Sequence, residues 1–300
     1  MTNITSGHLA DLEYIPEATA GTEPSSGTLQ IPSDIVTNVS LNTVNNAEIL
    51  YAIDDYDGVG SATGLREVVL TFDFVKQQLN TTGEHLIGDS VEYYAVTRSS
   101  GQPSSLCFYY TPYTGCTYMI TGGYINSYSE TVNEGDKTIK CSVEVWGYSC
   151  ATSNANYASL TAASAIGNSY EKFTGASITK SGATVGKGVS EFSFSVENNL
   201  ARIPVVGSSA LTGIYAGNQV VSGSMNILVE DGGAVQFGSM DSAHSNSIVY
   251  NSGATASTSE TWTFGNSIFT NMPIETASDT AYVVSNANWI ARSVTLAAHA

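Results

Sequence analysis

Alternation with a period of two runs through most of this chain. Between Arg66 and Val75, Val68, Leu70, Phe72 and Phe74 fall on one side while Thr71 and Asp73 fall on the other. That is the signature of a strand with one buried and one wet face. Ile139, Cys141, Val143 and Val145 alternate in the same way with Lys140, Ser142 and Glu144 across Lys137–Trp146. Asn133-Glu134-Gly135-Asp136 precedes that strand and reads as a turn, so "YMITGGYINSYSETVNEGDKTIKCSVEVWGYS" predicts an antiparallel pair. Phe192, Phe194 and Val196 alternate with Ser193, Ser195 and Glu197. Val221, Met225, Ile227 and Val229 alternate with Ser222, Ser224 and Asn226 across Val220–Glu230, and a long loop separates these two strands.

Weaker signals fill the rest. "SVEYYAVTR" (Ser90–Arg98) alternates like a strand, and "CFYYTPYTGCTYMI" (Cys107–Ile120) is an aromatic hairpin with Pro112 and Gly115 at its turn. "SNANYASLTAASA" (Ser153–Ala165) lacks β-branched residues over most of its length and is the best place for a short helix. The stretch Glu260–Leu296 supplies a closing pair of strands. Three of the seven prolines lie in "EYIPEATAGTEPSSGTLQIPSD", which reads as an extended arm rather than a packed element. The expected organisation is an N-terminal arm over residues 1–30 and a single β domain over 31–300, all-β with minor α.

Composition sharpens this reading. Charged residues make up 12% of the chain, about half the usual quarter. Ser, Thr, Asn and Gly replace them, which suits strands and turns. The net charge of -17 arises from 27 acids against only 10 bases, and the bases are scattered. A nucleic-acid binder needs clustered cations to neutralise phosphate, so this chain is expected to repel DNA. No secretory signal and no apolar run of membrane-spanning length is visible. A cytoplasmic origin follows, and with it four free thiols, since the spacings Cys107–Cys116 and Cys141–Cys150 suit no zinc knuckle.

Catalytic chemistry is not legible. His8, His85, His244 and His299 stand alone, and a carboxylate pair such as Glu92 with Glu144 has nothing to single it out. "GATVGKG" (Gly182–Gly188) fails as a phosphate loop because Ser181 and Gly188 stand where a glycine and a hydroxyl belong. "DDYDGVG" (Asp54–Gly60) fails as a calcium loop because Val59 and Arg66 occupy ligand positions. Neither an enzyme, a cofactor nor a metal is expected.

Three stretches, Ile120–Gly147, "FSFSVENNLARIPVVGSSALTGIYAGNQVVSGSMNILVED" and Trp262–Trp289, carry a Gly-x-x-Ile-Asn-Ser opening, an acid-Gly turn, a Val-x-Val-x-Gly strand and a Ser-Val-x-Asn-Asn strand. In order and spacing they resemble the tail tube proteins of long-tailed double-stranded DNA viruses. The resemblance implies a β-sandwich or barrel subunit that assembles with itself into hexameric rings. The rings stack into a virion tail tube, and strands of every subunit join one inner barrel around the passing DNA. Its polar strand faces would line an acidic or neutral channel, with Thr71, Asp73, Ser142, Glu144, Ser193, Ser195, Ser222, Ser224 and Asn226 as wall residues. Lys140 departs from that pattern and is expected to be neutralised by a neighbour such as Glu144. The arm and the loop Ala201–Asn218 would reach the adjacent ring. The alternative is a carbohydrate- or receptor-binding β-sandwich of a virion or cell surface, whose tyrosines would stack on sugars.

Overall fold

A computed structural model describes residues 11–298 apart from 47, 52–57, 63, 65, 80–85, 153–154, 168, 181–182, 185–187, 205–210, 230–246, 254–258 and 277–281. The elements that position the functional surface are β1 (Asp11–Pro16), β2 (Val36–Asn45), β3 (Arg66–Val75), α1 (Val91–Val96), β4 (Leu106–Tyr113), β5 (Cys116–Asn133), β6 (Lys140–Gly147), β7 (Ser177–Lys180) and β8 (Gly188–Glu197). They continue with β9 (Leu200–Pro204), β10 (Leu211–Ala216), β11 (Val220–Val229), β12 (Ile248–Asn251), β13 (Glu260–Gly265), β14 (Ile268–Asn271), β15 (Tyr282–Ala291) and β16 (Ser293–Ala298).

The main sheet runs β2-β3-β6-β5-β8-β11-β15-β14 with every pairing antiparallel. A second antiparallel sheet, β7-β12-β13-β16, packs against its middle. Aromatic side chains fill the space between them. Trp262 of β13 lies 4.7 Å from Phe194 and 5.5 Å from Tyr128 between ring centroids, and Trp289 of β15 sits 4.8 Å from Phe264. Each ring removes a large apolar area from water, so this interlayer supplies much of the stabilisation. Gly223 of β11 allows the layer to close, because a Cβ there would collide with the Ser193 carbonyl oxygen and the Trp289 ring. Gly223→Ala is therefore expected to cost about 1–3 kcal/mol through overpacking, read as a lower midpoint in urea unfolding.

The four strongest strand expectations hold. Val68, Leu70, Phe72, Phe74, Cys141, Val143, Val145, Phe192, Phe194, Val196, Val221, Met225 and Ile227 are all buried. The Asn133–Asp136 turn closes as read, with the Asp136 amide donating to the Asn133 carbonyl at 3.1 Å and the Gly135 amide to Asn133 Oδ1 at 2.7 Å. The aromatic hairpin also forms, turning at Thr114 and Gly115 while Pro112 stays within β4.

Other expectations are corrected. Ser90–Arg98 is not a strand: its residues 91–96 form α1, capped by Ser90, whose hydroxyl accepts from the Tyr93 amide at 3.2 Å. Val91, Tyr94 and Ala95 fit the i, i+3, i+4 spacing as well as Val91, Tyr93 and Ala95 fit alternation, and the cap favours the helix. The helix expected within Ser153–Ala165 is a single 3-10 turn at Tyr157–Ser159. Ser159 donates to the Asn156 carbonyl there, the competition with helical bonding that serine and asparagine invite. Beyond it, Thr161 is captured by backbone bonds to Gly27 and Leu29.

The closing pair is divided, since β13 belongs to the second sheet and β15 to the main one. Of the arm, residues 11–30 are packed, with only β1 a strand and turns and bends after it: β1 pairs with β4, and Leu12, Tyr14, Ile15 and Leu29 are buried. The loop Ala201–Asn218 is largely the β9–β10 hairpin, with Leu200, Leu211 and Ile214 buried against Tyr124 and with 205–210 outside the described residues. The four cysteines are free. The four histidines and Asp54–Asp57 lie outside the described residues.

Candidate functional site

Alternation along each strand and register between strands together bring all nine wall candidates to one face of the main sheet. Thr71 stands opposite Glu144 and Asp73 opposite Ser142 across β3 and β6. Ser193 stands opposite Ser224 and Ser195 opposite Ser222 across β8 and β11, with hydroxyl oxygens 2.9 and 3.2 Å apart. Asn226 donates to Glu191 Oε2 at 2.9 Å on the same pair of strands. The central strand β5 joins the two halves, since Ser129 is opposite both Ser142 and Ser195, and Thr131 is opposite both Lys140 and Ser193. One row of side chains thus crosses seven strands as Asn38, Asp73, Ser142, Ser129, Ser195, Ser222 and Ile290. Short hydroxylic side chains leave its middle hollow. A shallow trough of about 560 Å³ is floored by Ser129, Thr131, Ser193, Ser195, Ser222 and Ser224.

Sequence reasoning missed Ser127, Ser129 and Thr131, the middle of this face. Their signal was available, because they alternate with Tyr128 and Val132.

The face is acidic and its base is occupied. Glu67, Asp73, Glu144, Glu191 and Glu197 share the strand parity of the wall candidates. Lys140 carries the opposing charge, and its Nζ lies 2.9 Å from Asp136 Oδ1. Asp136 therefore replaces the expected partner Glu144, because residues four apart on an extended strand are too far separated to pair. Glu144 Oε1 instead accepts from Asn126 Nδ2 at 2.8 Å and Trp146 Nε1 at 2.7 Å. At one end of the face Arg202 of β9 reaches over, its guanidinium 3.9 Å above the Trp146 ring and 2.8 Å from Glu67 Oε2. Arg98 and Lys180 are tied too: Arg98 donates to Asn198 Oδ1 and to the Gly217 carbonyl, and Lys180 sits 4.5 Å over Phe269.

Two further features flank the face. The outer margin of β2 has no strand beside it among the described residues. Next to that margin, a cavity of about 1100 Å³ is lined by Val39, Leu41, Thr43, Tyr110, Tyr118 and Tyr148.

Behind the face lies a charge cluster that composition does not disclose. Lys76, just beyond β3, places its Nζ 2.9 Å from Glu130 Oε2, 2.5 Å from Glu260 Oε2 and 3.7 Å from Glu92 Oε1. All four are at most 2% exposed. Tyr128 and Tyr250 donate their hydroxyls to Glu130, Tyr128 at 2.9 Å. Burial alone would push the Lys76 ammonium down, but Glu130, Glu260 and Glu92 outweigh it and hold it well above its usual range. Burial also pushes the Glu260 carboxyl up to about 8, against the pull of Lys76. The cluster and its aromatic shell hold β3, β5, α1 and β13 together.

Glu92 and Glu144, paired only by chance in the sequence, therefore serve different surroundings: one belongs to the dry cluster, the other to the wet face. Among the described residues no group of histidine, cysteine and acidic side chains is arranged to hold a metal ion. Among the described residues no helix is long and apolar enough to cross a membrane.

No curated protein matches the chain. A family model described as phage tail tube protein matches residues 7–291, nearly its whole length. By that match, joined to its all-β fold, the chain belongs to the phage tail tube family, a structural protein of the virion tail.

Proposed function

We propose that this chain closes into hexameric rings that stack into the tail tube, and that the hydroxyl-rich face of the main sheet is the wall along which the genome travels. The observation that carries the reading is the continuous row from Asn38 to Ile290, bare of unpaired bases. DNA sticks to protein mainly by exchanging its counterions for lysine and arginine, so a wall of serine, threonine and carboxylate gives it nothing to exchange. At cellular salt a charge acts over about 8 Å, which leaves the acids of this face as the ones that matter to passing DNA.

Ring closure would pair the open margin of β2 with the β14–β15 side of a neighbour, removing the exposed edge that otherwise invites uncontrolled association. The tyrosine-lined cavity beside β2 is continuous with that margin and would be covered by the same neighbour. Ile203, Tyr215 and Val220, on or next to the β9–β10 hairpin, are exposed apolar residues at one end of the sheet. They supply a contact for the next ring, and residues 1–10 of the arm are assigned the same role.

Negative-stain microscopy of the purified chain is expected to show hollow rods or stacked rings. A stable monomer by light scattering at every concentration and salt tested, with no rods, overturns the reading. Deleting residues 1–10, which leaves β1 intact, is expected to abolish rods and preserve the far-ultraviolet circular dichroism of the subunit.

A further inference from the structure

The surroundings of Lys76 are unusual in chemistry as well as in charge. An amine and a carboxyl group lie 2.5 Å apart, Lys76 Nζ to Glu260 Oε2, shorter than the roughly 2.7–2.9 Å of an ordinary ammonium–carboxylate contact. Both side chains are fully enclosed, on separate sheets, and neither can turn to water. A second carboxylate, Glu130, touches the same nitrogen at 2.9 Å and is fixed by two tyrosine hydroxyls. Glu92 stands 3.7 Å off on the helix side, one of its oxygens buried without a hydrogen-bond partner. The Trp262 ring closes the site 5.5 Å from Nζ.

The geometry points to a self-processing site in which Lys76 Nζ and Glu260 Cδ condense to an intramolecular isopeptide bond, with Glu130 taking the proton. In the balanced step, the Lys76 ammonium passes one proton to the Glu130 carboxylate. The neutral amine attacks Cδ of Glu260 in its acid form, and the C–N bond forms. The Glu260 hydroxyl then leaves with a second amine proton as water. What remains is an amide bearing one hydrogen, a protonated Glu130 and one water.

Two physical terms favour the product. Enclosure holds the amine against the carboxyl group, and well-oriented intramolecular reactants behave as if present at about 10⁵ M or more. Condensation also replaces a buried cation and its buried partner anion by neutral groups, relieving the desolvation that makes such pairs costly. Burial that keeps Glu260 protonated near neutral pH supplies the acid form. The ammonium is held by the Glu130 and Glu92 carboxylates, which makes proton removal the slow step and Glu130 its gate. The bond would tie β3 to β13, joining the two sheets covalently in a subunit without disulfides among its described residues.

Intact-mass spectrometry of the denatured full-length chain tests this directly. The expected mass is lower than the sequence mass by one water, and digestion should yield a branched peptide joining Lys76 to Glu260. Lys76→Arg keeps the positive charge but cannot link, so it should retain the full mass. Glu130→Gln should slow linkage by about 100-fold or more, as loss of a general base does. Full mass in the wild-type chain after days of incubation overturns the proposal. So does a water loss that maps to any other residue pair. Because the wild-type measurement needs no variant to fold, a failure of Lys76→Arg to express leaves the test intact.

Discussion

Relative to the chain in which Lys76 and Glu260 are not yet linked, Lys76→Met is expected to remove about 3–5 kcal/mol of stability, the usual loss when one partner of a buried ionic group is deleted and the others stay behind. Glu92, Glu130 and Glu260 would then face one another in a dry interlayer with no cation between them. The sequence offers no substitute, since all three are at most 2% exposed and the nearest donors are Tyr128 and Tyr250. Urea unfolding followed by tryptophan fluorescence measures the loss, because Trp262 lies beside the cluster. The pH sign is fixed by Glu260. Its carboxyl titrates at about 8 in the fold against 4.5 outside it, so the folded form holds a proton that the unfolded chain has released. Stability from such a group is present at low pH and declines as pH rises through that window. Removing Lys76 removes the pull that limits the rise, so the variant should be distinctly more stable at pH 5 than at pH 8. A second substitution, Glu130→Gln, should restore part of the loss by discharging the cluster. An unchanged urea midpoint in Lys76→Met at both pH values would show that the four side chains do not form an interacting group.

Much of this arrangement could be read from strand parity, and where reading failed the cause is physical. β3, β6, β8 and β11 were legible because one face is apolar and the other small and polar, a contrast that the register then carries across the sheet. The same parity holds the cluster. Glu130 occupies an apolar position between Tyr128 and Val132, and Glu260 does so ahead of Trp262 and Phe264. An acid on the buried side of a strand demands a partner, yet Lys76 lies one residue past its strand and Glu92 on a helix that read as a strand. Nothing in the sequence links these four, because the sheet-to-sheet packing that brings them together is not a periodic property. α1 was lost for a related reason: six residues fit both periods, and the Ser90 cap decides between them. The second sheet escaped because its strands are short and separated in sequence, β7 and β12 especially.

Ser195→Lys is expected to leave tube assembly intact and to cut infectivity by roughly 100-fold or more, the scale on which a few added phosphate contacts change DNA affinity. The position is chosen from the geometry of the face. Ser195 lies in the middle of the polar row, opposite Ser129 on one side and Ser222 on the other, so a lysine there meets hydroxyls rather than a carboxylate. Lys140 differs, because Asp136 stands 2.9 Å from its ammonium. The side chain is half-buried among small neighbours and its strand pairing rests on backbone bonds, so the fold should tolerate the longer chain. In the proposed ring every subunit would carry the substitution, and stacking would repeat the cationic belt along the tube, multiplying a weak attraction into a barrier. Rods of purified Ser195→Lys should match wild type in diameter by microscopy, which separates an assembly defect from a conduit defect. Virus supplied with the variant tail protein should plate poorly and release DNA slowly, and higher salt should speed release because screening weakens phosphate contacts. Ser195→Asp, which adds bulk and the opposite charge, should plate close to wild type. Equal plating of the lysine and aspartate variants would remove this face from the path of the genome and leave it an ordinary solvated surface.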